Sequence, residues 1–286
     1  MKQIWFYVFF ILFLLAGDRL AGHLLQSEIE QSQFRYSRLY RGDAAADILL
    51  LGNSRGLTFY QPYLEQITGK STFNLSYNGL PMDAANTLVQ DYLDRYPAPK
   101  TLLIDITICD RENDALLAGL LPYTAQSSRL NALMARKLPK IYWGGKVSAL
   151  FRFNHEVFQR AMYYRKQSDK DWLLDRVLPE TLAQQAPENS YDLELHPYLM
   201  EQLKETVTAA QAKGVRVALV LGPYFPGFQV KNLDALKAAA TNATGLPVGD
   251  YHAALSDPAD FGDFMHPNKK GSAIYLDLLQ RDGFFD

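Results

Sequence analysis

The sequence predicts an α/β domain with a five-stranded parallel sheet, preceded by an apolar helix at the amino terminus. Three observations carry this. Five short apolar runs are each bounded by turn residues, as buried strands are. Helical patterns separate most of them, and alternating strands and helices make a parallel sheet covered on both faces. The third observation is a charge-free stretch, IWFYVFFILFLLAG, from Ile4 to Gly17.

The elements follow in order. The stretch Ile4–Gly17 is shorter than the span of about 20 residues that a bilayer needs, and has the length of a signal-peptide core. Yet no A-x-A cleavage pattern follows, and apolar character resumes at Leu20 to Leu25. An uncleaved signal anchor over residues 1–25, meeting the membrane through residues 4–25, is therefore favoured over a cleaved peptide. A buried helix fits least, because no polar face is visible. Lys2 on the short side puts the amino end inside and the body outside. Residues 26–46 are polar, then Ala-rich, and read as a stalk.

The domain proper is expected over residues 47–286. Its strands are expected at Asp47–Gly52, Thr72–Ser76, Thr101–Thr107, Val215–Gly222 and Pro247–Asp250. In 83–96, Ala85, Leu88, Val89, Tyr92 and Tyr96 share one helical face, and Pro97 and Pro99 end the pattern. Residues 197–213 repeat the theme up to Gly214, and 231–243 and 269–281 supply two more helices. Residues 115–195 break the alternation. Rich in Tyr, Phe, Trp, Arg and Lys, they read as a mostly helical insertion between the third and fourth strands, serving as cover for the sheet or as a binding surface.

Composition narrows the function. The 286 residues carry a formal net charge of −2 and no Lys/Arg-rich run, so nucleic acid is not indicated as a partner. The single cysteine, Cys109, cannot form an internal disulfide and reads as a small buried hydrophobe. No two of the five histidines have zinc-ligand spacing, and neither a metal nor a cofactor is expected.

Chemistry must come from local constellations. In ILLLGNSRG (48–56) a serine, Ser54, stands two residues beyond a core strand. Ligands of parallel sheets sit outside the carboxyl ends of the strands, so Ser54 is where a site belongs. A serine hydroxyl needs a base within hydrogen-bond reach and a third group to orient that base. His266 in DFGDFMHPN has Asp263 three residues before it, close enough to hold the imidazole. The alternative is a loop at a helix start in which both merely satisfy backbone groups. His252, beside Asp250, is the competing base; His23, His155 and His196 lie elsewhere. Gly52-Asn53-Ser54-Arg55-Gly56 also fits G-x-S-x-G, but in that fold several strands precede the elbow, whereas here the first strand leads straight into it and no HGGG-like segment precedes it.

The set resembles the SGNH/GDSL hydrolase superfamily. LLLGNSRG matches its first block with Ser54 as nucleophile, FNLSYNG its second with Gly79, and Asp263-x-x-His266 its last. The resemblance covers roughly residues 45–110 and 213–283 and implies a flavodoxin-like three-layer sandwich. It implies a triad of Ser54, His266 and Asp263, with the N–H groups of Ser54 and Gly79 in the oxyanion hole. The family's Gly-x-Asn after the third strand is missing from LLIDITICDREND. Asn113 is too far along, which leaves Thr107 or Arg111 as the substitute. With the anchor and this departure, the chain resembles the export-side members that acylate cell-surface polysaccharides or transfer D-alanine to teichoic acids. The implied function is a serine-dependent O-acyltransferase, with acetyl as the group, acting on an exported polysaccharide. A multi-spanning membrane O-acyltransferase is the implied partner. A carbohydrate esterase and a non-catalytic polysaccharide-binding scaffold are the rivals.

Overall fold

The computed structural model describes residues 2–169 and 173–286. Its first elements are helix α1 (Lys2–Glu30), α2 (Arg35–Arg41), strand β1 (Ile48–Leu51), α3 (Gln61–Thr68), β2 (Thr72–Asn74), α4 (Met82–Arg95) and β3 (Thr101–Asp105). Then come α5 (Asp114–Gly119), α6 (Ser128–Lys137), α7 (Pro139–Val147), α8 (Glu156–Tyr163), α9 (Glu180–Ala183) and β4 (Ser190–Asp192). The chain closes with α10 (Pro197–Ala212), β5 (Arg216–Leu221), β6 (Gln229–Lys231), α11 (Leu233–Thr244), β7 (Val248–Asp250) and α12 (Lys269–Arg281). Two compact units result: residues 2–43 with 114–169, and residues 44–113 with 173–286.

The second unit holds a five-stranded parallel sheet of order β2-β1-β3-β5-β7. Counting these strands alone the order is 2-1-3-4-5, that of flavodoxin-like doubly wound sheets. Strands buried on both faces must be apolar throughout rather than alternating. Accordingly all four residues of β1 are buried. Ile48, Leu50, Leu103 and Val220 pack with Leu64 of α3 and Tyr275, Leu276 and Leu279 of α12. The alternate positions Leu49, Leu51, Leu102, Ile104 and Leu219 are buried as well, and period two turns them to the opposite face. There α4, α10 and α11 lie side by side, with α10 against β5. A second, two-stranded parallel sheet joins β4 to β6.

All five expected strands and four expected helices are present, each ending within a few residues of its expected bounds. The strands are shorter because Gly52, Ser76, Thr107 and Gly222 already belong to the loops that follow them.

The first unit corrects two expectations. Residues 26–46 are not a stalk: α1 continues to Glu30, and Phe34, Tyr36 and Leu39 are fully buried. Phe34 stacks on Tyr164, and the buried Arg35 pairs with Asp169 at 3.0 Å. Polar spacers between these large side chains hid an apolar face. The insertion is likewise not one helical block over 115–195. Its helical part packs with residues 2–43, whereas residues from 173 onward return to the sheet unit and supply β4. α1 is long and apolar enough to cross a membrane, and its apolar residues from Ile4 to Leu15 are exposed.

Candidate functional site

β1 delivers the chain to Gly52 and then into a tight turn. A Cβ on Gly52 would stand 2.7 Å from the Gly56 Cα, and one on Gly56 would stand 2.3 Å from the Ser76 Oγ. Both glycines are thus required by close approach. The turn is set by Asn53, whose Oδ1 accepts from the Arg55 N–H at 3.0 Å and whose Nδ2 donates to the Thr107 carbonyl at 2.8 Å. Ser54 stands at the head of the short 3-10 helix Arg55–Thr58.

His266 comes from a loop that is itself tied. The Gly262 N–H donates to the His266 carbonyl at 3.0 Å, and Phe261 bridges to Pro267. Asn268 caps α12 through the Gly271 N–H at 3.1 Å and donates from Nδ2 to the Ala259 carbonyl at 2.8 Å. These bonds aim the imidazole at Ser54: His266 Nε2 lies 2.8 Å from the Ser54 Oγ. On the other side, His266 Nδ1 lies 2.8 Å from Asp263 Oδ1 and 3.1 Å from Oδ2. The Asp263 Oδ1 also accepts from the N–H groups of Met265 and His266 at 2.8 and 2.9 Å. Burial pushes the Asp263 carboxyl up. The hydrogen bond and charge of His266 and the two backbone donors outweigh it, so the group lies below its ordinary range. An ionised Asp263 holds the proton on Nδ1 and leaves Nε2 free to take the serine proton.

Gly79 sits in the turn Tyr77–Leu80 with φ +69, a left-handed conformation that glycine adopts without strain. Among the described residues neither the Gly79 N–H nor the Ser54 N–H has a hydrogen-bond partner. Both residues line one cavity. Thr107 does not supply a free donor there, because its hydroxyl is bonded to Asp105. Arg111 lines the cavity but pairs with Asp110 at 3.0 Å and lies over the Tyr191 ring. Asn113 comes closer than its sequence distance suggests, donating from Nδ2 to the Gly79 carbonyl at 3.0 Å. It thereby braces the turn that presents Gly79.

Ser54 and His266 lie between two cavities. One, of about 180 Å³, is walled by Leu57, Leu173, Leu174 and Pro267. The other, of about 290 Å³, is walled by Asp110, Arg111, Tyr191 and Tyr224. Asp110 is buried and accepts from the Tyr191 hydroxyl and from the Glu194 N–H at 2.7 Å. Burial pushes the Tyr224 hydroxyl up to about 12.

Sequence reasoning missed two residues. Arg55 is 3% exposed. Its guanidinium donates to the Met265 carbonyl and, at 2.9 Å, to the Pro223 carbonyl. It stands 3.6 Å over the Tyr224 ring and 3.9 Å from the Asp105 carboxylate. It thus bolts the turn of Ser54 to the loop of His266, and nothing about an arginine in a loop signals that. Asn78 lines both cavities, and its side chain has no hydrogen-bond partner among the described residues. An Asn-Gly pair is an ordinary turn signal, which masked it.

His252 and His196, the other histidines of the sheet unit, do not line the cavities at Ser54. His252 Nδ1 lies 2.7 Å from Asp250 Oδ1 beside a different cavity, with Phe225 and Leu255. His196 pairs with Glu194 at 2.8 Å, and His155 precedes α8. Cys109 is fully buried, and burial pushes its thiol well up. Among the described residues no three His, Cys, Asp or Glu side chains gather as metal ligands. Comparison with protein-family models and with curated proteins finds no match for this chain.

Proposed function

We propose that the protein is a serine acyltransferase of SGNH type that moves a short acyl group through an acyl-serine onto a hydroxyl of an exported polysaccharide. The observation that carries this is the chain Ser54–His266–Asp263, with bonds of 2.8 Å on each side of the imidazole. His266 Nε2 takes the Ser54 proton as Oγ attacks the acyl carbonyl. The oxyanion is received by the N–H groups of Ser54 and Gly79, with the Asn78 amide as third donor in place of the absent Gly-x-Asn. His266 returns the proton to the departing alkoxide, which leaves an ester on Ser54. An acceptor hydroxyl then gives its proton to His266, attacks that ester, and Ser54 recovers its proton. A positioned base contributes about 10²–10⁴-fold to such steps.

The two cavities favour this division of labour. The leucine-walled one suits an acetyl or short aliphatic acyl group. The one with Asp110, Arg111 and Tyr191 suits a hydroxyl-rich acceptor. Hydrolysis is the second reading, favoured by a His266 side chain that is 22% exposed and open to water. α1 as an uncleaved anchor would hold the body on the export side, where a multi-spanning acyl donor partner fits.

The test uses the full chain in detergent with p-nitrophenyl esters of increasing chain length, followed by product release and intact mass. An adduct on the wild type that is absent from Ser54→Ala is expected. An adduct of equal yield in Ser54→Ala, or none with any ester, would refute the assignment. Release of the adduct hastened by added glycan over water marks transfer; indifference to glycan marks hydrolysis.

A further inference from the structure

α1 ends its charge-free run at Gly17, and the next two residues, Asp18 and Arg19, do not simply face water. The Asp18 carboxylate accepts from the Ser148 hydroxyl at 2.6 Å and from the N–H groups of Ala149 and Leu150 at 2.7 and 3.1 Å. The Arg19 guanidinium donates to the carbonyls of Lys146 and Val147 at 3.3 and 3.0 Å. Gly22 then lies so close to Ala149 that a Cβ would stand 2.4 Å from the Ala149 Cβ. The end of α7 and the turn Leu150–Phe153 are therefore clamped to α1 at the level where its apolar stretch stops.

What that clamp displays is not an ordinary surface. Trp143 is 64% exposed and Val147 72%, one helical turn apart on α7, with Leu150 at 43% and Phe151 at 38% beside them. Lys140 and Lys146 flank the face. From residue 115 to 155 the chain contains no acidic residue, while Arg129, Arg136, Lys137, Lys140, Lys146 and Arg152 are basic. Large exposed apolar side chains with a tryptophan and lysines around them match the interfacial zone of a bilayer, where indole rings sit among headgroups and cations meet anionic lipid.

We propose that α7 and the turn after it form a membrane-contact surface that dips into the headgroup and upper acyl region of the same bilayer that α1 crosses. The proposal rests on α1 being a membrane helix and is independent of the acyl chemistry. Geometry supports it. The run from Ile4 to Gly17 is about 21 Å long at 1.5 Å per residue, against a hydrocarbon core of about 30 Å. Trp143, Val147, Leu150 and Phe151 are held where that run ends, at the depth where the hydrocarbon gives way to headgroups. Asp18 and Arg19 at that depth stand 3.7 Å apart and are both bonded to the segment that comes down with them, which offsets part of the cost of taking two charges out of bulk water.

The test is tryptophan quenching in vesicles of phosphatidylcholine and phosphatidylglycerol. The full chain carries Trp143 as its only tryptophan (Trp5→Phe, Trp172→Phe). A companion chain carries Phe10→Trp as its only one, with Trp143→Phe added. Bromine is placed either high on the lipid chains or near their methyl ends. Trp143 is expected to lose most of its emission to the high bromines and little to the deep ones. The Phe10→Trp reporter is expected to respond to the deep ones. Adding Val147→Glu and Leu150→Glu should abolish the Trp143 quenching and leave the Phe10→Trp signal unchanged. An unquenched Trp143 beside a quenched Phe10→Trp reporter would overturn the proposal and leave the anchor intact. Two unquenched reporters would overturn the anchor and the proposal together.

Discussion

Replacing Arg55 by alanine removes a buried cation that ties the loop of Ser54 to the loop of His266. Two charge-assisted hydrogen bonds, to the carbonyls of Met265 and Pro223, disappear. So does the stacking on Tyr224 at 3.6 Å. Each such bond is worth about 1.5–3 kcal/mol and a desolvated cation on a ring about 2 kcal/mol, but one guanidinium makes them all and they do not add. The larger consequence is electrostatic: Asp105, 1% exposed, loses the cation that stands 3.9 Å away. Breaking a buried pair by removing one partner costs about 3–5 kcal/mol, which is a large part of the roughly 5–15 kcal/mol that stabilises a domain. Arg55→Lys keeps a charge but loses the planar fork, so an intermediate loss is expected. Urea unfolding of the sheet unit, followed by circular dichroism, reads the stability change. Acylation of Ser54 by a p-nitrophenyl ester, followed by intact mass under conditions where the variant is folded, reads the alignment. With Met265 released, a displacement of His266 by about 1 Å would slow acylation roughly 100-fold. A loss below about 1 kcal/mol, the range of a surface substitution, would refute the electrostatic argument. An unchanged acylation rate would refute the role of Arg55 as a bolt.

Asn78→Ala should slow acyl-serine formation by about 100- to 1,000-fold while leaving stability within about 0.5 kcal/mol, as for loss of one oxyanion donor; burst kinetics with an activated ester measures it. Asp47 gains a pH signature. The hydrogen bond from Lys100 and those from the Ser71 side chain and backbone lower its carboxyl to about 2 from an ordinary 3.8. A depressed carboxyl stabilises the fold above its unfolded value and loses that contribution as pH falls through the folded one. The gap in Tm between wild type and Asp47→Asn should therefore be full above about pH 4 and close by about pH 2. Cys109, whose thiol is buried and pushed up, should resist iodoacetamide in the native chain and react in denaturant; mass spectrometry decides.

The sheet was legible in the sequence because parallel strands buried on both faces leave continuous apolar runs, ILLL and TLLI being plain cases. Ser54 was legible from its place after the first strand, and His266 with Asp263 from their three-residue offset before a helix start. What was not legible depended on tertiary contact. Phe34, Tyr36 and Leu39 sit among arginines and serines, so their burial shows only once Tyr164 and Asp169 arrive from far along the chain. Arg55 reads as a surface charge until Asp105, Pro223 and Met265 surround it. Asn113 is remote from Gly79 in sequence, and only the turn after β3 brings the two together.

Ser54 and His266 are 212 positions apart, and their meeting carries a consequence for the life of the chain. During synthesis Ser54, the proposed nucleophile, is made early and His266, its proposed base, almost last. Until His266 has emerged and α12 has docked on β1, β3 and β5, Ser54 is an ordinary hydroxyl. On the proposed mechanism, a nascent, stalled or clipped chain lacking its final 21 residues, and with them His266, would be chemically silent, and a protease acting near the carboxyl end would stop the acyl chemistry without touching Ser54.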